Sequence, residues 1–263
     1  MLVRLPLAAP FVAPFATLVA ALACSSAAAQ YTVKLGGAYI DTNSSSTPLT
    51  GQFPAVNPAT NAYVRNVAIT SGPTLEVQNK ATLVLSIERA FNDHWSAELV
   101  LGLPPKHDVK LRSSTVNVTD PQGSPVVEGI VENKLRNNNG LVVSTVRQWA
   151  PTFLVNYKFR DASARLRPFI GLGLNVTRFK ARTNPTGDKL YNDGNPYIQL
   201  SDSIGPAVQA GVSYKLDERW SLNASVLSAQ VDNKLVIETR NSRQEAFFRF
   251  TPTVASLSVG YSF

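Results

Sequence analysis

Side chains that could carry out acid–base, nucleophilic or metal chemistry are few in this chain. It contains two histidines, His94 and His107, and one cysteine, Cys24. A serine nucleophile needs a histidine base and an orienting acid, and a closed zinc site needs about four ligands. Neither arrangement can be assembled around His94 or His107, so we expect no enzyme, no metal and no cofactor.

The motif Lys106-His107-Asp108 has two interpretations. A metal or acid–base site would use the histidine and the aspartate, but two such groups are too few to close a zinc site. In the second interpretation the motif is structural and forms an ion pair that anchors a loop. We favour the structural interpretation.

Charged residues of both signs lie near three short polar turns, which are Asn92-Asp93-His94, Arg160–Ala164 and Asp217-Glu218-Arg219. Where water is scarce an unpaired charge is costly, so groups of opposite sign should pair. If the three turns share one side of the molecule, the charges form a floor that closes that side. The residues of this predicted floor are Glu88, Glu98, Lys158, Arg167 and Lys215.

The connections along the chain alternate strictly between short and long. The long stretches are polar and lie at about Asp41–Pro73, Pro104–Val143, Lys180–Asp202 and Asp232–Glu245. Between connections, apolar residues recur with a period of two, which is typical of strands with two different faces. The predicted strands are Gln30–Ile40, Thr74–Phe91, Trp95–Leu103, Ser144–Phe159, Arg165–Phe179, Ser203–Leu216, Trp220–Val231 and Ala246–Phe263.

This alternation predicts an all-β fold, an eight-stranded antiparallel up-and-down transmembrane β-barrel with long extracellular loops and short periplasmic turns. A soluble lipocalin-type barrel would have the same strand pattern, so the content of the two faces decides. Between Ile170 and Val176, one face carries Ile, Leu, Leu and Val, and the other carries Gly, Gly and Asn. A lumen of eight strands holds close-packed small side chains, so the bulky face points into lipid.

Aromatic residues favour the same orientation. Phe91 and Trp95 flank the first short turn, and Tyr214 and Trp220 flank the third. Amphipathic rings prefer the headgroup level of a membrane, so rings at one height predict an interfacial belt. The alternative is that turns in any β protein attract aromatic residues.

The start of the chain resembles a segment that is removed on export. Arg4 precedes an apolar run from Leu5 to Ala23, and Ala27-Ala28-Ala29 supplies small residues before Gln30. This pattern predicts a secretory signal peptide over residues 1–29 and an outer-membrane barrel over residues 30–263. A membrane anchor is the alternative, but three prolines interrupt the apolar run.

The basic residues behind the formal net charge of +7 are spread along the chain and form no cluster. We therefore expect no nucleic-acid partner.

Several segments resemble the OmpW family of outer-membrane proteins, which includes the AlkL-type channels for hydrophobic compounds. The chain end, Val259–Phe263, is similar to the signal that the barrel-assembly machinery reads, with Tyr261 and Phe263 as its aromatic residues. The resemblance implies a bacterial outer-membrane barrel that delivers small hydrophobic molecules sideways into the bilayer. The segments that carry it are Phe91–Leu99, Pro105–Asp108, Ala150–Phe159, Arg167–Asn175 and Trp220–Asn223.

Inward positions above the predicted floor are apolar or small. An apolar pocket above a charged floor would bind an apolar solute and refuse to pass it towards the periplasm, so the solute would leave through the wall. The residues of the predicted pocket are Val84, Val100, Leu154, Phe169, Leu227 and Val254.

Prolines mark a candidate exit in the barrel wall. The third predicted strand ends at Pro104-Pro105, and the fourth carries Pro151 at about the same height. Proline donates no ladder hydrogen bond, so pairing should fail there. We therefore predict a lateral exit near Leu103, Pro104, Trp149 and Pro151. The alternative is that these prolines only terminate strands.

The predicted function is passive uptake of small hydrophobic molecules. The main alternative is a structural, adhesive or receptor-type barrel without transport, and a lipid-modifying enzyme comes last. An apolar upper lumen would favour the channel, whereas a polar network that fills the lumen to the top would favour the structural barrel. The expected partners are outer-membrane lipid and lipopolysaccharide, the barrel-assembly machinery and small hydrophobic solutes.

Overall fold

The computed structural model describes residues 31–60, 62–191 and 196–263. The predicted signal peptide lies outside the described residues, so its removal stays a prediction. The helices are α1 (Pro125–Asn137) and α2 (Pro185–Leu190). The strands in chain order are β1 (Tyr31–Asp41), β2 (Thr50–Val56), β3 (Tyr63–Ser71), β4 (Thr74–Val77), β5 (Lys80–Ala90), β6 (Trp95–Gly102), β7 (Lys106–Arg112), β8 (Asn117–Thr119), β9 (Val142–Trp149), β10 (Thr152–Lys158), β11 (Leu166–Thr183), β12 (Tyr197–Leu200), β13 (Ser203–Lys215), β14 (Trp220–Ala229), β15 (Val231–Glu238), β16 (Arg243–Phe250) and β17 (Thr253–Ser262).

Eight strands close into an antiparallel barrel in the order β1, β5, β6, β10, β11, β13, β14 and β17. Strand β17 pairs with β1, and β10 pairs with β11, so the ring has no free edge. Each barrel strand follows its neighbour along the chain, which confirms the predicted eight-stranded up-and-down barrel. No helix in the described part of the chain is long and apolar enough to span a membrane.

The two faces of the barrel strands differ as the period-two pattern predicts. On β11, Leu172 points outward and is 69% exposed, whereas Gly171 on the other face is buried. In the lumen Leu154 is fully buried. Because bulky apolar groups point away from the barrel axis around the whole ring, the outer surface is an apolar band.

Side chains of the short turns hold the strands at their correct register. Asn92 Oδ1 accepts hydrogen bonds from the backbone N–H groups of His94 and Trp95, both at 2.9 Å. Asp217 Oδ1 accepts from Arg219 and Trp220 N–H groups in the same way, both at 2.7 Å. Asn and Asp favour this turn because their side-chain oxygens reach the backbone two residues on.

The four long connections are more ordered than the sequence predicts. Strands β12, β15, β16, β2, β3 and β8 form a six-stranded sheet, and β9, β7 and β4 extend the barrel sheet beyond β11. We call this part, at the end opposite the short turns, the outer region. It encloses an apolar core that includes Phe53, Val67, Leu111 and Phe248. The long connections are present as predicted, and short apolar runs among their Asn and Ser residues bury one face and form strands.

Three predicted strands are each broken in two. At two of the breaks a proline removes a ladder donor, and at the third Asn79 Oδ1 accepts from the Thr42 backbone N–H at 3.0 Å in place of a ladder bond. The breaks divide Thr74–Phe91 at Gln78-Asn79, Ser144–Phe159 at Ala150-Pro151 and Ala246–Phe263 at Thr251-Pro252.

The sequence marks the start of helix α1 clearly, but the period-two pattern, which indicates strands, did not predict this helix. Ser124 precedes Pro125 in the first turn, where the missing proline N–H is harmless, and Glu128 complements the helix dipole there. Asp120 fixes this end, because its Oδ2 accepts from the Ser124 backbone N–H at 3.0 Å. Arg65 Nε and Nη2 hold the same carboxylate in place by donating to it at 2.9 and 2.6 Å. The Arg65 hydrogen bonds lower the pKa of Asp120 to about 2.

His107 anchors the outer region by a hydrogen bond and not by the ion pair that the sequence suggests. Its ring is fully buried, and Nδ1 lies 2.8 Å from the Gln78 carbonyl oxygen, to which a ring N–H donates. Nε2 is buried without a partner among the described residues. Burial lowers the pKa of His107 below its ordinary value of 6.5. The hydrogen bond to Gln78 opposes this shift, nearby Lys80 lowers the pKa further, and Asp108 raises it.

We predict that the outer region loosens when the pH falls below 6.5, the ordinary pKa of histidine. The unfolded chain then binds the proton before the folded chain does, because Nε2–H has no acceptor in the fold, so stability that is present above this pH is lost below it. Hydrogen-exchange protection of the β4 and β7 amides, compared at neutral and mildly acidic pH, measures the loss. His107→Asn should remove the pH dependence, and an unchanged dependence in that variant would contradict the assignment.

Candidate functional site

A cluster of charged side chains crosses the lower lumen. Lys34 Nζ lies 2.8 Å from Glu88 Oε2 and 2.8 Å from Glu98 Oε1. Lys158 Nζ lies 2.5 Å from Glu88 Oε1. Lys34 and both glutamates are buried, and we call these four residues the lumen cluster. Two positive and two negative charges balance, so the lumen cluster itself carries no net charge.

Neutral groups complete the lumen cluster. Asn156 Nδ2 donates to Glu98 Oε2 at 2.7 Å, and Ser86 Oγ donates to Glu98 Oε1 at 2.6 Å. A methyl group at Gly171 would lie 2.0 Å from Asn156 Oδ1, so a larger residue at that wall position would displace the Asn156 amide from its place beside Glu98. Lys34 Nζ also lies 5.6 Å from the centre of the Phe169 ring, within the range of a cation–π contact.

Four residues of the predicted floor line one pocket on the side of the short turns, and Lys34 links the fifth, Glu98, to Glu88. Glu88, Glu98 and Lys158 belong to the lumen cluster, but Arg167 and Lys215 contact no carboxylate among the described residues. Arg167 Nη2 donates to the carbonyl oxygens of Asp93 and Arg160, and Lys215 Nζ donates to that of Ala162. These two cations therefore bind the turns, because the unpaired carbonyls there are nearer than the glutamates.

Sequence reasoning missed Lys34, which contacts both glutamates of the lumen cluster. The signal was present in the alternation, since Lys34 stands between the outward-facing Val33 and Leu35 and must point inward.

A cavity of about 120 Å³ lies above the lumen cluster. Of the predicted pocket residues, Val84, Val100, Phe169, Leu227 and Val254 line it. Leu154 also points inward, but it packs against Ala207 and Ala229 and is not part of the lining. Polar side chains share the wall, so the cavity is of mixed character. These polar residues are Thr82, Ser86, Gln148, Thr152, Asn175, Gln209, Asn223, Ser225, Ser256 and Ser258.

A second cavity, of about 70 Å³, lies in the outer region. Its lining is almost wholly apolar and includes Leu75, Leu111, Phe179 and Phe248. Gln148 lines both cavities and therefore lies between them. The two cavities are therefore neighbours, with the polar Gln148 side chain at their junction.

The predicted exit coincides with a break in the barrel ladder. Strands β6 and β10 pair as far as Val100 and Thr152, and pairing resumes between β7 and β9 at Lys106 and Arg147. We call the intervening stretches, Gly102–Pro105 and Gln148–Pro151, the seam.

The seam lies between the lumen cavity and the outside of the barrel. Its two sides are bridged by the Gln148 backbone N–H, which donates to the Pro105 carbonyl oxygen at 3.2 Å. Gly102, Pro105 and Ala150 line the lumen cavity, whereas Leu103 and Trp149 are 61% and 47% exposed. The cavity and the outer surface therefore approach each other here.

Aromatic rings cluster at the end of the barrel that carries the short turns. Tyr261 packs edge-on against Trp220 and against Phe263, with ring centres 4.9 Å apart in both pairs. Tyr157 contacts Trp95 at 5.1 Å. The role of Tyr261 and Phe263 in barrel assembly stays a prediction.

We predict that Lys34→Met destabilises the barrel by about 3 to 5 kcal/mol, because two buried carboxylates lose their shared partner. Urea unfolding in lipid vesicles, followed by tryptophan fluorescence, measures the change. Lys234→Met is the matched control; it removes a lysine from an exposed ion pair and should lose less than about 1 kcal/mol. Adding Glu98→Gln to Lys34→Met should recover part of the loss. Equal losses in Lys34→Met and the control would contradict the role of Lys34.

Known proteins share the sequence and the fold. A profile described as the OmpW family matches residues 126–263, just over half of the chain. Outer membrane protein W of Vibrio cholerae is 27% identical over 190 residues, which cover 72% of this chain and 76% of that protein. The dibenzothiophene metabolism operon protein PahQ of Pseudomonas aeruginosa is 26% identical over 201 residues, with coverages of 73% and 76%.

The fold is similar to that of a solved structure as well. The crystal structure of the outer membrane protein OprG from Pseudomonas aeruginosa superposes with a TM-score of 0.65 at 22% identity, over 90% of this chain and 96% of that one. The closed barrel, its apolar outer band and the sequence match agree. The chain therefore belongs to the OmpW family of bacterial outer-membrane proteins.

Proposed function

We propose that this protein is a passive, non-enzymatic channel that moves small, mainly apolar molecules from outside the cell into the outer membrane. The route runs from the outer cavity to the lumen cavity and then sideways through the seam. One observation carries the proposal: the lumen cavity has a charged cluster beneath it and a break in the wall beside it.

Entry through the outer region is supported by its apolar interior. The outer cavity is lined by groups such as Leu75 and Phe179, and it meets the lumen cavity at Gln148. Transfer of an apolar molecule from water to such a surface is favourable in proportion to the area that is buried. A solute would therefore enter the outer region spontaneously and pass Gln148 to reach the lumen cavity.

Passage towards the periplasm is opposed by the lumen cluster. Lys34 lines the lumen cavity and also the pocket on the side of the short turns, so the cluster stands between the two spaces. Opening it would separate buried ion pairs, which costs several kcal/mol. An apolar solute forms no ion pair or hydrogen bond with these groups that would offset this cost, so exit through the seam costs less free energy.

The composition of the seam supports its role as the exit. Pro104, Pro105 and Pro151 have no backbone N–H, so a gap between the strands leaves few donors unpaired. Leu103 and Trp149 present apolar surface to lipid on the outside. A solute that parts the strands here moves from one apolar surface to another.

The relative PahQ suggests which class of solute this chain could carry. Its name connects it with dibenzothiophene metabolism, and dibenzothiophene is a flat, apolar polycyclic compound. We propose solutes of that kind for this chain. The polar residues in the lumen cavity, such as Gln209 and Asn223, would also accommodate one polar substituent.

A structural or adhesive barrel is the second candidate. The ordered outer region, with its own six-stranded sheet, is the observation that favours it, because such a surface can present a constant shape to a partner. The open lumen cavity favours the channel, since a purely structural barrel gains nothing from empty space above the lumen cluster.

We predict faster uptake of dibenzothiophene into vesicles that have lipopolysaccharide in their outer leaflet when they contain this protein. Glucose uptake through the same vesicles should stay at background, because the lumen cluster blocks a polar route. Fluorescence of the entrapped polycycle and a coupled glucose assay provide the two readings. Equal rates for dibenzothiophene with and without protein would reject the channel and leave the structural barrel.

We predict that cross-linking the seam stops this uptake. Gly102→Cys with Ala150→Cys places one thiol on each side of the seam, and short and long bifunctional thiol reagents can join them across an unknown gap. Ser225→Cys with Ser256→Cys is the matched control; the serine hydroxyl oxygens of this pair lie 2.9 Å apart in the opposite wall of the same cavity. Uptake should fall towards background only in the seam pair and return on reduction of a cleavable linker. Undiminished uptake in the linked seam pair would place the exit elsewhere.

A further inference from the structure

The outward face of β11 changes abruptly from apolar to basic. From Leu166 to Val176, its outward residues are apolar with none charged, and the next three are Arg178, Lys180 and Arg182, all exposed. At the rise of a tilted strand, the apolar part spans about the height of an outer-membrane hydrocarbon band. The basic part therefore begins at the level of the outer-leaflet headgroups.

The neighbouring strands carry basic residues at the same level. Arg147 on β9 is paired directly with Lys106 on β7 on one side and with Lys180 on β11 on the other. All three are exposed, and we call Lys106, Arg147 and Lys180 the basic row. Side chains that are directly opposite on adjacent strands lie about 5 Å apart, and like charges there are destabilising.

Carboxylates do not neutralise the basic row. Within residues 31–60, 62–191 and 196–263, none of its three members forms an ion pair, and neither does Arg182. The acid nearest in the register is Asp108, which shares the outward face of β7 and stands opposite Thr145. Arg178, one step lower, has an exposed partner in Asp202 at 3.3 Å.

The strands β15 and β16 show the opposite pattern. Lys234 pairs with Glu245 at 2.7 Å, and Arg249 pairs with Asp232 at 3.0 Å. Cations at the outer end of the barrel thus have acidic partners in that sector and lack them in the basic row. Solubility alone gives no reason for this difference.

We propose that the basic row binds the phosphate groups of lipopolysaccharide in the outer leaflet. Arginine matches phosphate oxygens with two parallel hydrogen bonds, and lysine supplies a compact positive charge. Phosphates at the headgroup level would relieve the repulsion within the row. An open groove beside it, lined in part by Lys180, Arg182 and Tyr197, gives room for a sugar headgroup.

A phosphorylated lipid fits the row better than a free anion does. Trp149 is paired with Arg178 just below the row and is exposed, in the position of an interfacial aromatic residue. A lipid bound here would place its acyl chains on the apolar band and its phosphates on the basic row at the same time. Inorganic phosphate would interact only with the charged side chains. This site does not depend on the proposed transport.

The test measures binding of diphosphorylated lipid A to the purified, detergent-folded full barrel by native mass spectrometry. Arg147→Gln with Lys180→Gln should weaken binding at least about tenfold, since each basic group near an anionic lipid surface contributes measurably. The matched control is Arg243→Gln with Arg249→Gln, which removes the same charge from exposed cations that already have acidic partners, and it should bind like the original protein. Folding of each variant is checked by its heat-dependent migration on gels.

Further ligands separate lipid from free anion. Monophosphorylated lipid A should bind more weakly than the diphosphorylated form, and inorganic phosphate at millimolar concentration should not displace either. Equal weakening in the two double variants would reject the basic row as the site. Displacement by inorganic phosphate would show a site for free anions and overturn the assignment to lipid.

Discussion

A backbone amide in hydrocarbon has no water to bind, so every amide in the membrane band must find a partner within the protein. The closed ladder from β1 round to β17 meets this requirement. The same constraint explains where the wall can be weak. The seam lies at the top of the band and carries Pro104, Pro105 and Pro151, which have no N–H to leave unpaired. A gap of equal length built from other residues would expose several donors to lipid.

The width of the lumen determines which side chains can fill it. Eight strands leave room for few large side chains, so glycine and small residues form much of the inner wall. The larger groups that remain occupy space released by a glycine. Phe169 is one case, because a methyl group at Gly211 would lie 2.6 Å from its ring. Such packing holds Lys34 between two carboxylates in the lower half of the barrel, while the upper half stays open.

The sequence predicts the barrel well because the membrane restricts the choice of fold. Once a period of two excludes membrane helices, closure of the ring follows. The carboxylates of the lumen cluster could be found because Glu88 and Glu98 lie close to a turn. Lys34 was missed because it lies on the first strand, far in sequence from all three short turns. Arg167 lies near the predicted floor but binds turn carbonyls, because a long side chain near a turn can reach backbone carbonyls as well as acids.

The outer region could not be predicted for a different reason. Its sheet joins β2 to β16, which are far apart in sequence, and β12 to β15, of which β12 is shorter than a usual strand. Their apolar residues stand in short runs between Asn, Ser and Pro, a composition that also suits disordered loops. These runs form strands only because they pack together in the core of the outer region. The contacts of that core join residues that are distant in sequence.

The outer region, the seam and the basic row are placed relative to one another by three strands. Strands β7, β9 and β11 carry the basic row on their outer face and part of the outer cavity on their inner face, and the seam begins just below them. Charged headgroups are the main obstacle to an apolar molecule that approaches an outer membrane. In the proposed route, the solute passes that level inside the protein and emerges beneath it, where hydrocarbon begins. An exit placed higher in the wall would return the solute to water among the phosphates, so the height of the seam matters more than its width.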